Sequence, residues 1–198
     1  MNEKIIELRK KIKKVLDKER YEHTKGVMYT AGCLAMAHEY PIEKAMIAGL
    51  LHDCAKCVPT EEKFNLCNEH HVLINQVEME NPGLLHAKVG AVLAETKYKI
   101  KDPEILHAIK VHTTGEPDMN TLDKIIYIAD YIEPRRNKAA NLAHMRQLAF
   151  IDLDRALYEI MAGILQYLEE THAAIDKQTQ EACIYYRDCY KDSKKAAF

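Results

Sequence analysis

Leu50-Leu51-His52-Asp53 closes the apolar run Ala45-Met46-Ile47-Ala48-Gly49-Leu50-Leu51, and the break Cys54-Ala55-Lys56-Cys57-Val58-Pro59 follows at once. An apolar run of this kind reads as a buried helix that delivers an imidazole and a carboxylate to its own end. Taking those groups out of water costs free energy unless charge is compensated, and a divalent cation is the commonest compensation. Adjacent helical residues point in different directions. An ion shared by His52 and Asp53 therefore sits in the wedge between them and draws the rest of its ligands from other helices.

Working outward, Asn2 to about Asp17 places Ile5, Leu8, Ile12 and Leu16 three and four apart, an amphipathic helix with a basic outer face. Arg20-Tyr21-Glu22-His23-Thr24 begins a second helix that runs through Val27, Ala31, Leu34 and Ala35 to His38 and stops before Pro41. Pro41 stands near the first turn of the helix that carries His52-Asp53. Thr60 is the expected N-cap of a short helix to about His70, Val72 to Met79 is ambiguous, and Asn81-Pro82-Gly83 is a turn. Leu84 to Ala94 reads as a helix with little polar surface. Asp102-Pro103-Glu104 caps the next, which runs to His112 and is stopped by Thr113-Thr114-Gly115. Leu122 to Glu133 is apolar except at Asp123, Lys124, Asp130 and its end, where Pro134 breaks it. A loop then leads to a helix from about Asp152 to Glu170, Asp176 or Thr179 starts a last helix to about Lys191, and Lys194 to Phe198 is a frayed tail. Without strand alternation, a Gly-rich phosphate loop or an internal repeat, the expected fold class is all-α.

The totals agree with one globular domain: 198 residues, 47% hydrophobic and 29% charged, with a formal charge of −2 before ten histidines are counted. There is no basic excess for a nucleic-acid polymer, whereas a small phosphorylated ligand needs only a local positive cluster. Six cysteines are scattered through a chain with no signal peptide and no apolar run of about 18 residues, so reduced thiols, a cytoplasmic location and no membrane partner are expected.

Five helices each set a histidine or aspartate on or beside apolar ground: His23, His52 with Asp53, His86, His112 and Asp130. One such histidine is usually a hydrogen-bonded core or surface residue, but five point to a shared site. Asp130 among Ile125, Ile126, Ile128, Ala129 and Ile132 needs a cation or several donors. Mixed nitrogen and oxygen ligands favour iron, manganese, cobalt or zinc over calcium. His38, His70, His71, His107, His144 and His172 lie near helix ends or polar neighbours and read as solvated. Cys54-x-x-Cys57 has the spacing of half a zinc site or a redox pair, yet Cys183 and Cys189 do not repeat it and no strand precedes it. Lys56 either reaches back from this loop toward an anionic substrate or is a solvated lysine. Arg20, three residues before His23, and Arg136, just past Asp130, are suited to phosphate oxygens, with surface charge as the alternative.

Arg20-Tyr21-Glu22-His23-Thr24, Leu50-Leu51-His52-Asp53-x-x-Lys56, Leu85-His86, His112-Thr113-Thr114-Gly115 and Leu122 through Pro134-x-Arg136 together resemble the HD superfamily of helical metal-dependent phosphohydrolases. More narrowly, they resemble its YqeK-type branch, the symmetrical diadenosine tetraphosphate hydrolases. The resemblance implies one HD-type domain over residues 1–198, with a core at about 18–136 and C-terminal helices at 150–192 packed on it. It implies a single iron-type centre on His23, His52, Asp53 and Asp130. His86 and His112 then approach the substrate phosphates, at positions where related HD families hold a second metal. It also implies nucleotide contacts at Arg20, His23, Asp53, Cys54, Ala55, Lys56, His86, His112, Asp130 and Arg136. Adenosine contacts fall on Thr171, His172, Ala173, Ala174, Ile175 and Asp176, where the family usually carries a proline-containing stretch.

The expected reaction is metal-dependent hydrolysis of diadenosine tetraphosphate to two ADP, with Asp53, Lys56, His86 and His112 as the catalytic set. The alternatives are an HD hydrolase of another nucleotide (a nucleoside monophosphate, guanosine alarmone or cyclic dinucleotide) and a non-catalytic nucleotide-binding module. A homodimer through the outer helices is left open.

Overall fold

Apolar periodicity and side-chain caps account for most of the helices. The computed structural model describes residues 2–139 and 141–196, with side chains as far as residue 191. In chain order the elements are α1 (Glu3–Ile12), α2 (Lys18–Ala37), α3 (Ile42–Leu51), α4 (Thr60–Glu69), α5 (Gln76–Glu80) and a 3-10 turn (Pro82–Leu85). They continue with α6 (His86–Thr96), α7 (Pro103–Val111), α8 (Thr121–Ile132), α9 (Leu142–Ala149), α10 (Leu153–Glu170) and α11 (Lys177–Ala196). The fold is all-α, as expected, with no strand among the described residues.

Helix α8 is the hub, packed against α2, α3, α7, α9 and α10. Its Leu122, Ile125, Ile126, Ile128 and Ala129 are completely buried, which is why a helix of that composition lies inside the bundle. Asn120 begins it with a reciprocal cap, its side chain accepting from the Asp123 amide while Asp123 accepts from the Asn120 amide. Helix α3 lies against α2 so closely that a Cβ on Gly49 would stand 3.0 Å from the Met28 Cα. That contact sets how deep the end of α3, and with it His52, sits in the core. Among the described residues no helix is long and apolar enough to cross a membrane.

The structure corrects several local expectations. Pro59 occupies the cap position of α4 and Thr60 is its first helical residue, with no side-chain cap bond, because the Pro59 backbone (φ −56°, ψ 148°) already has the non-helical cap conformation. Leu84 and Leu85 belong to the 3-10 turn, so α6 begins at His86. The ambiguous stretch contains α5, opened by a capping box of Asn75 and Glu78. The expected loop before residue 152 contains α9, which starts from a left-handed Asn141 (φ 61°) without a side-chain cap and so lacks the usual start signal. Asp176, rather than Thr179, precedes α11 and accepts from the Gln178 amide at 2.8 Å. That helix continues past Lys191 to Ala196, and the last two residues of the expected frayed tail, 197 and 198, lie outside the described residues.

Gly49→Ala tests the α2–α3 contact. Alanine in a helix interior normally stabilises by about 1 kcal/mol relative to glycine. Here the backbone contact is expected to reverse the sign, giving a destabilisation of about 1–3 kcal/mol in urea unfolding.

Candidate metal centre

Four imidazoles reach one point from four helices. His23 lies in the second turn of α2, His52 and His112 follow the last residues of α3 and α7, and His86 is the first residue of α6. All four are buried. Adjacent rings stand edge to face, with centroids 5.5 Å apart for His23 and His52 and 5.0 Å apart for His52–His112 and His86–His112.

The ring orientations come from what lies behind them. His52 Nδ1 donates to the Gly49 carbonyl at 2.7 Å, His86 Nδ1 to Gly83 at 2.6 Å and His112 Nδ1 to Ile109 at 2.7 Å. In each case the acceptor is three residues back. At the ends of α3 and α7 it is a last-turn carbonyl that no helical amide can reach. His23 Nδ1 instead donates to the Glu133 carboxylate at 3.0 Å. These oxygens can only accept, so each ring carries a proton on Nδ1 and turns its Nε2 toward the common space.

Two carboxylates face the same space. Asp53 Oδ2 lies 2.9 Å from Arg20 Nη1, 3.5 Å from His52 Nε2 and 3.9 Å from His23 Nε2. Its Oδ1 lies 3.1 Å from His86 Nε2, 3.8 Å from His112 Nε2 and 4.0 Å from Lys56 Nζ. Asp130 Oδ1 is 2.9 Å from His23 Nε2 and 4.0 Å from His52 Nε2, and it accepts from Arg136 Nη2 at 2.8 Å. Asp53 thus joins two lobes, one of His23, His52 and Asp130, the other of His86, His112 and Lys56.

The arrangement fits a divalent cation. His23 with His52 and Asp130, and His52 with Asp53 and His112, present ligand atoms that all lie within 4.8 Å of one another. His23 Nε2 and His52 Nε2 are buried with no hydrogen-bond partner, although carboxylate oxygens are nearby. Nε2 atoms facing anionic oxygens need positive charge between them, a proton or a metal, and mixed N/O donors are the set that borderline divalent metals take.

The electrostatics agree. Burial works to raise both carboxylates, yet the histidines around Asp53 hold it well below the usual range, and His23, His52 and Arg136 do the same to Asp130. Burial alone would lower His23, but Asp130 and Glu133 outweigh it and its pKa is raised. His86 is pushed down to about 4, by burial first and then by positive neighbours at His112 and Lys56. Lys56 is also lowered, chiefly by burial, and its Nζ stands 3.2 Å from His86 Nε2.

Every metal and phosphate residue singled out in the sequence, from Arg20 to Arg136, is therefore in or beside this cluster, apart from two side chains. Cys54 is buried with its Sγ on the Gly90 carbonyl at 3.4 Å, and burial raises its thiol to about 12; Ala55 packs against Leu85 and Val89. Only the backbone of either can face a ligand. In the segment from Thr171 to Asp176 the first four residues are exposed, while Asp176 is buried, accepts from Asn75 Nδ2 at 2.7 Å and caps α11. Of the remaining histidines, His38 bonds the Ala149 carbonyl, His107 stands between Glu116 and Asp123, and His144 meets Glu159. Cys57 is exposed against Asp17, and all six cysteines are free.

Two features were not anticipated. Glu133, 1% exposed, was read only as a helix end, although a carboxylate three residues after Asp130 on an apolar helix was the available signal. A cavity of about 1020 Å³ opens beside His112 and Asp130, with walls that include Tyr131, Arg135, Arg136, Ile164 and Tyr167. It needs α8, α10 and the loop between them together.

The five segments, the helical bundle and the His/Asp cluster define the class, and the chain belongs to the HD-domain family, whose model matches residues 20–135. Its relatives are narrower in kind. It is 38% identical over 168 residues to the symmetrical bis(5'-nucleosyl)-tetraphosphatase of Bacillus subtilis (strain 168), covering 85% of this chain and 89% of that one. It is 33% identical over 184 residues to the protein of that name from Staphylococcus aureus, covering 92% and 93%. A crystal structure from Clostridium acetobutylicum, described as a "predicted HD superfamily hydrolase involved in NAD metabolism", is similar with a TM-score of 0.88 and 37% identity, covering 92% of this chain and 96% of that one.

Alanine at His52 or Asp130 is expected to strip divalent metal from the purified protein, measured as metal per chain by elemental analysis. Wild-type metal content in both variants would remove these residues from the ligand set. His112→Ala is expected to keep its metal, and loss there would add His112 to the ligands.

Proposed function

We propose that this protein is a symmetrical bis(5'-nucleosyl)-tetraphosphatase that hydrolyses diadenosine tetraphosphate to two ADP. The observation that carries the reading is Asp53, whose two oxygens join a metal-type lobe to a cationic lobe built for phosphate. The names of the curated relatives support the same substrate.

In this reading His23, His52, Asp53 and Asp130 hold the divalent metal, with iron the first choice and manganese, cobalt or zinc the alternatives. The metal supplies Lewis acidity and an activated water when bound. The chain's own residues do the rest. Lys56, Arg20 and Arg136 carry positive charge to the face where the tetraphosphate binds, and the two arginines also hold the carboxylates of Asp53 and Asp130 in place. His86 Nε2 and His112 Nε2 are 3.2 Å apart, close enough to share one proton. A proton held there passes to the oxygen that leaves as the second ADP, while water supplies the oxygen gained by the first. The cavity beside His112 and Asp130 has room for one nucleoside. It is the preferred place for one adenosine, and Thr171 to Asp176 follow directly on Glu170, a residue of its wall.

Residues 1–198 act as one domain in this proposal, supported by an apolar cluster that includes side chains from Ile5 to Tyr186. The protein works in the cytoplasm on a small nucleotide.

The test is to incubate anaerobically purified, iron-loaded protein with diadenosine tetraphosphate and resolve the products by chromatography. ADP alone supports the proposal. ATP with AMP places attack at an outer phosphate and overturns the symmetrical reading; no product with metal present overturns this substrate and moves the assay to NAD, guanosine alarmones and cyclic dinucleotides. Lys56→Met is expected to retain its metal and lower kcat/KM by about 10- to 100-fold, from loss of a charge-assisted phosphate contact.

A further inference from the structure

Three of the four converging histidines are backed by neutral peptide carbonyls; His23 alone is backed by an anion. That anion, Glu133, is out of water, with one oxygen accepting from His23 Nδ1 at 3.0 Å and the other from the Arg135 amide at 2.8 Å. A buried carboxylate is expensive, and these two bonds are its visible compensation. The space it occupies is reserved by Gly26, one turn after His23 on α2. A Cβ there would stand 2.3 Å from Glu133 Oε2 and 3.1 Å from Glu133 Cδ. Glycine is unfavourable inside a helix of 20 residues, so the position answers to something other than helix stability.

We infer that Glu133 is a positioning residue for the metal centre, fixing His23 in the tautomer and orientation that present Nε2 as a ligand, and that Gly26 is the clearance this carboxylate requires. The inference rests on reading the cluster as a metal site and does not depend on which nucleotide is cleaved. A carboxylate behind a ligating imidazole holds the proton on the far nitrogen and makes the near one a better donor. Glutamine replaces it only in part. Its one oxygen serves either His23 or the Arg135 amide, and its NH₂ then faces the other donor.

The experiment measures cobalt(II) affinity by competition with a chromophoric chelator, together with long-range ¹H–¹⁵N NMR of the histidine rings in metal-free protein. Folding is followed by circular dichroism. Glu133→Ala and Glu133→Gln are each expected to weaken cobalt binding about 10- to 100-fold and to shift His23 away from the Nδ1–H tautomer. Gly26→Ala is expected to do the same with the carboxylate still present, and to add nothing in the Glu133→Ala background, where there is no carboxylate to displace. Gly32→Ala, on the same helix but against the flexible Met46 side chain, is the control and should bind cobalt as wild type does.

Unchanged affinity and an unchanged His23 tautomer in Glu133→Gln and Gly26→Ala would overturn the inference and leave Glu133 as a turn cap for residues 133–135. If Glu133→Ala does not fold, those two variants decide the matter alone. Wild-type protein that binds cobalt but cleaves no dinucleoside tetraphosphate overturns the proposed activity and leaves this inference standing. Normal cleavage with undiminished cobalt affinity in both deciding variants does the reverse.

Discussion

Asp53 is almost wholly out of water, and each of its oxygens is committed to different partners: Oδ2 to Arg20 and the His23–His52 lobe, Oδ1 to His86, His112 and Lys56. A buried carboxylate survives only where compensation is complete, so the helices supplying these groups must meet at one place. The packing of α2 on α3, the seat of α3 against α7 and the burial of α8 between them serve that meeting. Moving any one of these helices by a turn leaves a buried charge unpaired.

His52 and His112 owe their usefulness to helix ends. A helix stops with carbonyls that its own amides cannot satisfy, and an imidazole three residues further on can fold back to one of them. This occupies Nδ1 and turns Nε2 outward, at the cost of an unpartnered nitrogen in a buried space. His52 shows the result most plainly: fully buried, bonded behind to Gly49 and without a hydrogen-bond partner in front. Such a site is held together poorly by its own groups and well by a cation, which ties the local backbone to the chemistry proposed for the centre.

The candidate ligands were legible because each offended the pattern around it. His52-Asp53 ended an apolar run and Asp130 interrupted another, and such anomalies in a helical pattern are visible one segment at a time. What escaped notice lacked either a local signal or a local meaning. Helix α9 begins at a left-handed Asn141 without a cap bond, so nothing in the sequence announced it. Glu133 looked like a helix end because its partner, His23, is 110 residues away. Gly26 is explained only by an atom of that same distant side chain.

The sequence by itself determined the helical class, the order of most of the helices and the set of histidines and aspartates to be buried, because periodicity, caps and apolar context act within a few residues. It also carried enough ordered segments to resemble one family. Only the tertiary structure decided that Asp53 faces two lobes, that Lys56 belongs with His86, that Asp176 is spent on Asn75, and that a cavity opens between α8 and α10. These are relations between side chains distant along the chain, fixed by how close the helices pack and which way each one turns its face.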